Sequence, residues 1–169
     1  MVLIGAERIR AMPPYQIRPG RPGDGPAAHH VLHAAVHQGA AAFYSAAERA
    51  AWAPDGPPAP DWEARLLSGH TLVAEDRAGA MIGFMTLGHD GFLDFAYVAP
   101  GWMGKGVGDA LYAALEPIAR AAGMRVLSTE ASHLARRFFH RHGWATVARQ
   151  SVIRDGVAIT NFRMECPLP

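Results

Sequence analysis

A glycine-rich segment between a strand and a helix restricts the fold of this chain more than any other feature of its sequence. The pattern predicts a strand from Phe92 to Val98 and a helix from about Val107 to Ala121, and Gly104-Lys105-Gly106-Val107-Gly108 leads into that helix. Glycines at a helix start let the backbone approach a ligand closely and aim free N–H groups at it. The positive end of the helix dipole adds attraction for an anion. The segment therefore predicts a cradle for a diphosphate.

Two common phosphate-binding loops do not fit this segment. A Walker loop needs a Lys-Ser/Thr pair after its glycines, and a G-x-G-x-x-G dinucleotide loop needs a third glycine where Leu111 stands. A glycine-rich bend before a helix is also ordinary turn chemistry. The remaining interpretations are a phosphate cradle of another kind and a plain turn.

Charge is scarce in the rest of the chain. Its 169 residues carry 16 Lys and Arg against 15 Asp and Glu, a formal net charge of +1. A nearly neutral chain has no broad field to hold a polyanion, so nucleic acid is not expected as a partner. Lys105, the only lysine, lies inside the glycine segment, and Cys166, the only cysteine, has no partner for an internal disulfide.

The length fits one domain, which we place at residues 14–169 after an N-terminal tail at 1–13. The N-terminus lacks the long apolar centre and cleavage site of a secretory signal. No apolar run approaches the 18 or so residues of a membrane span. We therefore expect a cytoplasmic chain with no membrane partner.

Turn and cap signals divide the chain into a predicted order of elements. That order is a strand at Tyr15 to Arg18, two or three helices, three consecutive strands, the long helix, a strand, a helix and a terminal hairpin. Asp155-Gly156 between two alternating runs is a strong hairpin signal. The predicted N-caps are Ser45 with Glu48 as its capping-box partner, Asp61 and Ser132, and the predicted buried stripe of the long helix is Ala110, Leu111, Ala114, Leu115 and Ile118.

The stretch from Tyr97 to Leu111 closely resembles the acetyl-CoA motif of the GNAT superfamily of N-acetyltransferases. That family has a strand ending in Val-x-Pro, then Gln/Arg-x-x-Gly-x-Gly/Ala, then a helix. The segment from Ser132 to Trp144 is similar to a later helix of the family, in which Asn-x-x-Ala precedes an aromatic pair and Gly-Phe. The order of elements also matches, so the resemblance covers about Tyr15 to Glu165.

The resemblance implies an α/β (α+β) fold with a mixed, mostly antiparallel sheet of six to seven strands. Helices would cover both faces, and the fourth and fifth strands would splay apart. It also implies transfer of an acetyl group from acetyl-CoA to an amine. Acetyl-CoA would contact Tyr97, Val98, Met103, Gly104, Lys105, Gly106, Val107, Gly108, Asp109, Ser132 and Phe139.

Two positions depart from the family pattern. Met103 replaces the usual Gln/Arg, which leaves its backbone amide in place. Phe139 stands where many members have a tyrosine that protonates the departing thiolate, and phenylalanine has no proton to give. The remaining candidates for that proton are Tyr97, His142 and water.

Two carboxylates in otherwise apolar strands are the candidates for general base, because a lysine-like amine with a pKa of about 10.4 must lose a proton before it attacks. Asp94 is preferred over Glu130 because it shares strand parity with Ala96 and Val98. The alternative is that these carboxylates only pair with Arg163 or Arg136, or accept a hydrogen bond from a loop backbone, since a carboxylate in an apolar strand needs a partner in any case.

The acceptor side is less marked in the sequence. The resemblance places Phe43, Tyr44, Trp52 and Trp62 along the acceptor site, with Asn161 and Arg163 on the last strand as weaker candidates. The expected acceptor is a primary amine of a small molecule. The alternatives are a protein or peptide N-acetyltransferase and a non-catalytic acyl-CoA-binding domain. A homodimer through the terminal hairpin is a further expectation.

His29, His33 and His37 recur at i, i+4 and i+8 of the first predicted helix. Such pairs could bind a metal. No cysteine or carboxylate near them in the sequence completes a closed site, so the favoured interpretation is a partly exposed helix face, and no metal is expected.

Overall fold

The structure is a computed structural model that describes residues 13–169. The predicted tail therefore lies outside the described residues except for residue 13. The strands are β1 Tyr15–Pro19, β2 His70–Asp76, β3 Met81–Leu87, β4 Phe92–Val98, β5 Val126–Ala131, β6 Ala145–Arg154 and β7 Val157–Pro167. The helices are α1 Gly25–Ala34, α2 Ala46–Trp52, α3 Trp62–Leu66, α4 Val107–Ala121 and α5 His133–Arg141.

The seven strands form one sheet in the order β1-β2-β3-β4-β5-β7-β6. Every neighbouring pair is antiparallel except β4 and β5, which are parallel. The helices pack on two faces: α1 and α3 join one buried cluster with Val73, Phe84 and Phe95, and α4 and α5 join another through Leu111 and Phe139. The predicted fold class is confirmed.

The sheet opens between β4 and β5. Only Phe92 and Leu93 of β4 pair with β5, opposite Ser128 and Thr129, and the hydroxyl of Thr129 donates to the Leu93 carbonyl at 2.8 Å. Beyond this point the two strands form no further ladder, so the backbone of β4 from Asp94 onward no longer faces a parallel partner. This is the predicted splay, and it leaves room for a ligand within the sheet.

Most local signals hold. Ser45 and Glu48 form the predicted capping box, Ser132 caps α5 by accepting from the Ala135 amide at 3.1 Å, and Asp155-Gly156 joins β6 to β7 with positive φ at both residues. Asp61 occupies the N-cap position of α3, but its side chain caps no amide, so that part of the prediction is wrong.

The buried face of α4 differs from the predicted stripe. Leu111 and Leu115 are buried as expected, whereas Ala110, Ala114 and Ile118 are only half-buried. Tyr112 and Ala119 are buried instead. The Tyr112 hydroxyl accepts a hydrogen bond from the indole of Trp144 at 3.0 Å, so it is satisfied within the core. Among the described residues, no helix has the length and apolar character to cross a membrane.

Candidate functional site

The glycine-rich turn has a backbone that only glycine adopts readily. After β4 the chain makes a 3₁₀ turn at Pro100–Trp102, and then Gly104 and Gly106 take left-handed φ angles of +74° and +81°. An L-residue at such an angle costs about 1–2 kcal/mol. Gly106 is the N-cap of α4, so these angles turn the chain sharply and start the helix at Val107.

The amides of this turn are unequal as donors. The N–H groups of Val107, Gly108 and Asp109 belong to the first turn of α4, where a helix supplies no carbonyl partner. The Met103 amide already donates to the Pro100 carbonyl at 3.3 Å. The helix start therefore offers a stronger anion site than the residues before it.

A cavity of about 300 Å³ opens against this turn, between β4, α4 and α5. Its walls are mostly apolar, and the splay gives it access to the edge of β4. All residues predicted to contact the cofactor line it except Lys105. Those that do are Tyr97, Val98, Met103, Gly104, Gly106, Val107, Gly108, Asp109, Ser132 and Phe139.

Lys105 points elsewhere. Its ammonium lies 5.4 Å from the ring centroid of Trp102, a cation–π contact. Positive charge at the cavity comes instead from Arg137 and Arg141 of α5, which line it. The sequence analysis missed these two arginines as cofactor contacts, although they stand within the segment that resembles the later family helix.

Phe139 and His142 differ in where they lie. Phe139 is buried and forms part of the cavity wall with Trp144 packed against it at 4.7 Å between ring centroids. His142 does not line the cavity. Its Nε2 lies 2.8 Å from the Asp109 carboxylate, and its ring packs against Tyr112 and Phe138.

A second cavity of about 410 Å³ lies beside the first. Tyr97, Trp52 and Ser132 line both cavities, so these three residues mark the place where the two meet. The Tyr97 hydroxyl accepts a hydrogen bond from the Trp52 indole at 3.2 Å. Burial raises the pKa of Tyr97 to about 12. The phenol is therefore protonated throughout the neutral range.

Asp94 lies in the second cavity, and both of its oxygens are engaged. Arg65 of α3 donates to them from Nε at 2.9 Å and from Nη2 at 2.7 Å. The predicted ion-pair partners, Arg163 and Arg136, are wrong: the partner comes from a helix 29 residues earlier. The bidentate pair leaves Asp94 poorly placed to take a proton. Its parity partners Ala96 and Val98 line the other cavity.

Glu130 also lines the second cavity but has neutral neighbours. Gln150 donates to its Oε1 at 3.0 Å, and Asn161 approaches its Oε2 at 3.4 Å. No lysine, arginine or histidine among residues 13–169 lies within ion-pair distance of it. The side-chain amides of Gln150 and Asn161 thus orient an exposed carboxylate without neutralising its charge.

Aromatic residues form the other walls of this cavity. Tyr44, Trp52, Trp62 and Asn161, which the resemblance assigns to the acceptor side, line it. The Tyr44 hydroxyl is fixed, donating to the Thr160 carbonyl at 2.8 Å and accepting from the His133 amide at 3.1 Å. Burial raises the pKa of Tyr44. Phe43 does not line the cavity; it stacks on His133, with the Arg137 guanidinium 5.0 Å from its ring centroid.

Three residues that the sequence analysis did not single out belong to this region. Arg65 holds Asp94, Gln150 orients Glu130, and Arg154 lines the cavity near Tyr97. Each acts across a long sequence separation. No local spacing signals such a contact, so only the folded chain identifies them.

Known proteins resemble this chain in sequence and in fold. Residues 31–166 match the family described as "Acetyltransferase (GNAT) domain". The chain is 32% identical over 150 residues to the uncharacterised N-acetyltransferase YafP of Escherichia coli K12, a match that covers 88% of this chain and 93% of that protein.

Solved structures show the same fold. A GCN5-related N-acetyltransferase from Rhodopseudomonas palustris is 32% identical, with a TM-score of 0.85 over 93% of this chain and 97% of that one. YncA from Salmonella typhimurium, whose structure holds its cofactor acetyl-CoA, is 24% identical, with a TM-score of 0.65 over 92% of this chain and 94% of that one.

Proposed function

This chain belongs to the GNAT family of acetyltransferases, and from that premise we propose that it transfers the acetyl group of acetyl-CoA directly to a primary amine of a small molecule. The observation that carries the proposal is the meeting of two cavities at Tyr97, Trp52 and Ser132, where β4 and β5 part. One cavity has a diphosphate cradle and the other an oriented carboxylate. The acceptor amine and the thioester would meet at that junction.

The first cavity suits acetyl-CoA. The free amides of Val107, Gly108 and Asp109 suit its diphosphate, with Arg137 and Arg141 supplying charge. The exposed backbone of β4 near Val98 suits the pantetheine arm. A structural neighbour of the same fold holds acetyl-CoA, which supports this assignment.

The second cavity suits the amine. Attack of the neutral amine nitrogen on the thioester carbonyl forms the C–N bond, the C–S bond breaks, and the nitrogen must lose a proton. We propose that Glu130 accepts that proton, directly or through one water. Its carboxylate lines the cavity and forms no ion pair with an arginine among the described residues. This proposal differs from the expectation for Asp94, because Arg65 donates hydrogen bonds to both oxygens of that carboxylate.

We assign to Tyr97 the stabilisation of the leaving thiolate. Its hydroxyl is protonated at neutral pH and lies at the junction, so it can donate a hydrogen bond to the thiolate as that charge develops. It takes the role that Phe139 cannot fill, and it replaces His142, which is engaged with Asp109. Cys166 lines neither cavity, which supports direct transfer without an acyl-cysteine.

A small acceptor is proposed because aromatic side chains and the segment after α2 enclose the second cavity. Tyr44, Trp52 and Trp62 form its walls, and Pro54 and Ala59 border it. A peptide acceptor would need a groove that continues along the surface. Turnover with a peptide acceptor is therefore an alternative outcome of the test below.

The test has two parts on the full-length protein. Calorimetry with acetyl-CoA should show saturable binding at one site per chain, and thiol release should then identify accepted amines in a panel of small amines and short peptides. Turnover with small amines supports the proposal. Binding without turnover would indicate an acyl-CoA-binding domain, turnover only with peptides would indicate a peptide acetyltransferase, and no binding at millimolar acetyl-CoA would overturn the assignment.

Pairing of two chains is proposed through β6, the strand at one edge of the sheet. Val147 and Ile153 on this strand are 46% and 68% exposed, an unusual position for large apolar residues. Sedimentation of the wild type and of Ile153→Lys tests this: a dimer that becomes a monomer supports it, and a wild-type monomer refutes it.

A further inference from the structure

The histidines of the first helix acquire a carboxylate when the chain folds. His33 and His37 are one helical turn apart, and Asp55 reaches them from the segment after α2. No carboxylate lies near these histidines in the sequence, but folding brings Asp55 to them, from 22 residues beyond His33. Two of the three histidines therefore belong to a cluster of imidazole and carboxylate groups, and the stripe is not only an exposed helix face.

The cluster is compact. His33 Nε2 lies 2.8 Å from Asp55 Oδ1, and the rings of His33 and His37 stack with centroids 4.1 Å apart and planes 26° apart. One ligand atom from each of the three residues falls within 4.8 Å of the others. Ligands about 2.1 Å from a tetrahedral zinc ion are about 3.4 Å apart, so small side-chain rotations would bring the three atoms around one ion.

The backbone around His37 departs from a regular helix. After α1 the chain forms a π-helical turn at Ala35–Gly39, which contains His37. Single π-helical turns are rare and often occur at functional sites. His37 Nε2 also hydrogen-bonds the Ala53 carbonyl at 2.7 Å, which draws the segment holding Asp55 toward the helix.

We propose that His33, His37 and Asp55 form a binding site for a divalent first-row transition ion of the Zn²⁺ class. Two imidazoles and one carboxylate are the donor set that such ions favour over Mg²⁺ or Ca²⁺. The ion replaces the proton between His33 and Asp55. Water completes the coordination, since the Asp55 side chain is 92% exposed and the site faces solvent.

His29 is not a ligand in this proposal, although it continues the stripe. Its ring packs edge-on against Trp62 at 5.8 Å between centroids, and its centroid is 6.5 Å from that of the His33 ring. His30, on the same helix, is exposed and is not one of the three grouped residues. It provides a matched control.

The site lies next to the second cavity. Ala53 and Pro54, immediately before Asp55, line that cavity. A bound ion would link the segment that contains Asp55 to the C-terminal end of α1. The binding claim does not depend on the proposed function, because it concerns only the three ligands and the ion.

The test uses full-length protein that carries no polyhistidine tag and has been stripped with a chelator. Calorimetry with Zn²⁺ should show one site per chain, and Co²⁺ should give a visible absorption band typical of nitrogen and oxygen ligands. His33→Ala, His37→Ala and Asp55→Asn should each weaken binding about tenfold or more, since removing even an outer partner of a metal ligand costs that much. His30→Ala should bind as the wild type does.

Asp55→Asn keeps the test decisive if a helix variant fails to fold, because that residue lies on an exposed segment. The proposal is overturned if Zn²⁺ shows no saturable binding. It is also overturned if His30→Ala loses as much affinity as His33→Ala, which would mean diffuse binding to surface histidines. Far-UV circular dichroism of each variant confirms that the helix is intact.

Discussion

The two cavities that meet at Tyr97 are built in opposite ways. The first takes most of its polar groups from one continuous stretch, the end of β4 and the glycine turn at the start of α4, and there the backbone supplies the donors. The second takes its polar groups from side chains on separate elements: Arg65 of α3, Asp94 of β4, Glu130 of β5 and Asn161 of β7.

This difference predicts how each cavity responds to substitution. A backbone site depends on dihedral angles, so a change of side chain should weaken binding less there than the loss of a glycine does. A site made of side chains depends on the position of each group, so a single isosteric change should remove the chemistry and leave the first cavity intact. Four predictions test this contrast, and three of them include a matched comparison variant.

The largest effect is expected at Glu130. Glu130→Gln keeps the size of the side chain and the contact with Gln150 but removes the proton acceptor, so kcat should fall about 10²–10⁴-fold. The affinity for acetyl-CoA, measured by calorimetry, should stay within a factor of about two, because the residue does not line the first cavity.

Asp94→Asn is the matched comparison for Glu130→Gln. It breaks the pair with Arg65, which is half-exposed, and should lower kcat by less than about tenfold. If Asp94→Asn caused the greater loss in kcat, the assignment of the base to Glu130 would be wrong, and the order that the sequence favoured would be restored.

The next effect is expected at Tyr97. Tyr97→Phe removes a hydrogen bond to a developing charge, worth about 1.5–3 kcal/mol, so kcat should fall about 10–150-fold with little change in acetyl-CoA affinity. Because the pKa of Tyr97 is about 12, ionisation of this phenol should not reduce the wild-type rate between pH 7 and 10. A loss of rate near pH 10 that vanishes in Tyr97→Phe would contradict the assignment.

In the first cavity, the backbone should matter more than the side chains. Gly106→Ala puts an L-residue at a φ of +81°, which favours a relaxed turn in the free protein by about 1–2 kcal/mol. Acetyl-CoA must restore the left-handed turn when it binds, so it should bind about 5–30-fold more weakly. Gly101→Ala is the control, since its added Cβ meets no atom within 4 Å and the residue has no left-handed φ. Equal affinity in the two variants would show that the left-handed turn does not shape the cradle.

The same contrast explains how much of the molecule could be predicted from its sequence. The hairpin at Asp155-Gly156 and the capping box at Ser45 are signalled within a few residues, and both appear as predicted. The glycine turn is equally local, and the residues around it do line one cavity. Contiguous features of this kind can be identified because sequence spacing fixes their geometry.

The second cavity could not be predicted in the same way. The Asp94 carboxylate pairs with Arg65 and not with the arginines expected for it. Glu130 is oriented by Gln150, which lies 20 residues away in the sequence. Asp55 reaches His33 from 22 residues away. These pairings depend on how the helices lie over the sheet, which no local pattern contains. Asp61 shows the converse, since it occupies the N-cap position of α3 but its carboxylate accepts no hydrogen bond from the helix amides.

The smallest effect is expected at Lys105, which tests the backbone interpretation most directly. The sequence made this lysine conspicuous as the only one in the chain, yet its ammonium lies over Trp102 and it does not line the cavity. Lys105→Gln should therefore change the acetyl-CoA affinity by less than about threefold at low salt, the size expected of a screened surface charge. Arg137→Gln, at the cavity wall, should cause a larger loss that shrinks as salt is added. If either charge substitution weakened acetyl-CoA binding more than Gly106→Ala does, a side-chain charge would hold the diphosphate, and the contrast between a backbone cavity and a side-chain cavity would fail.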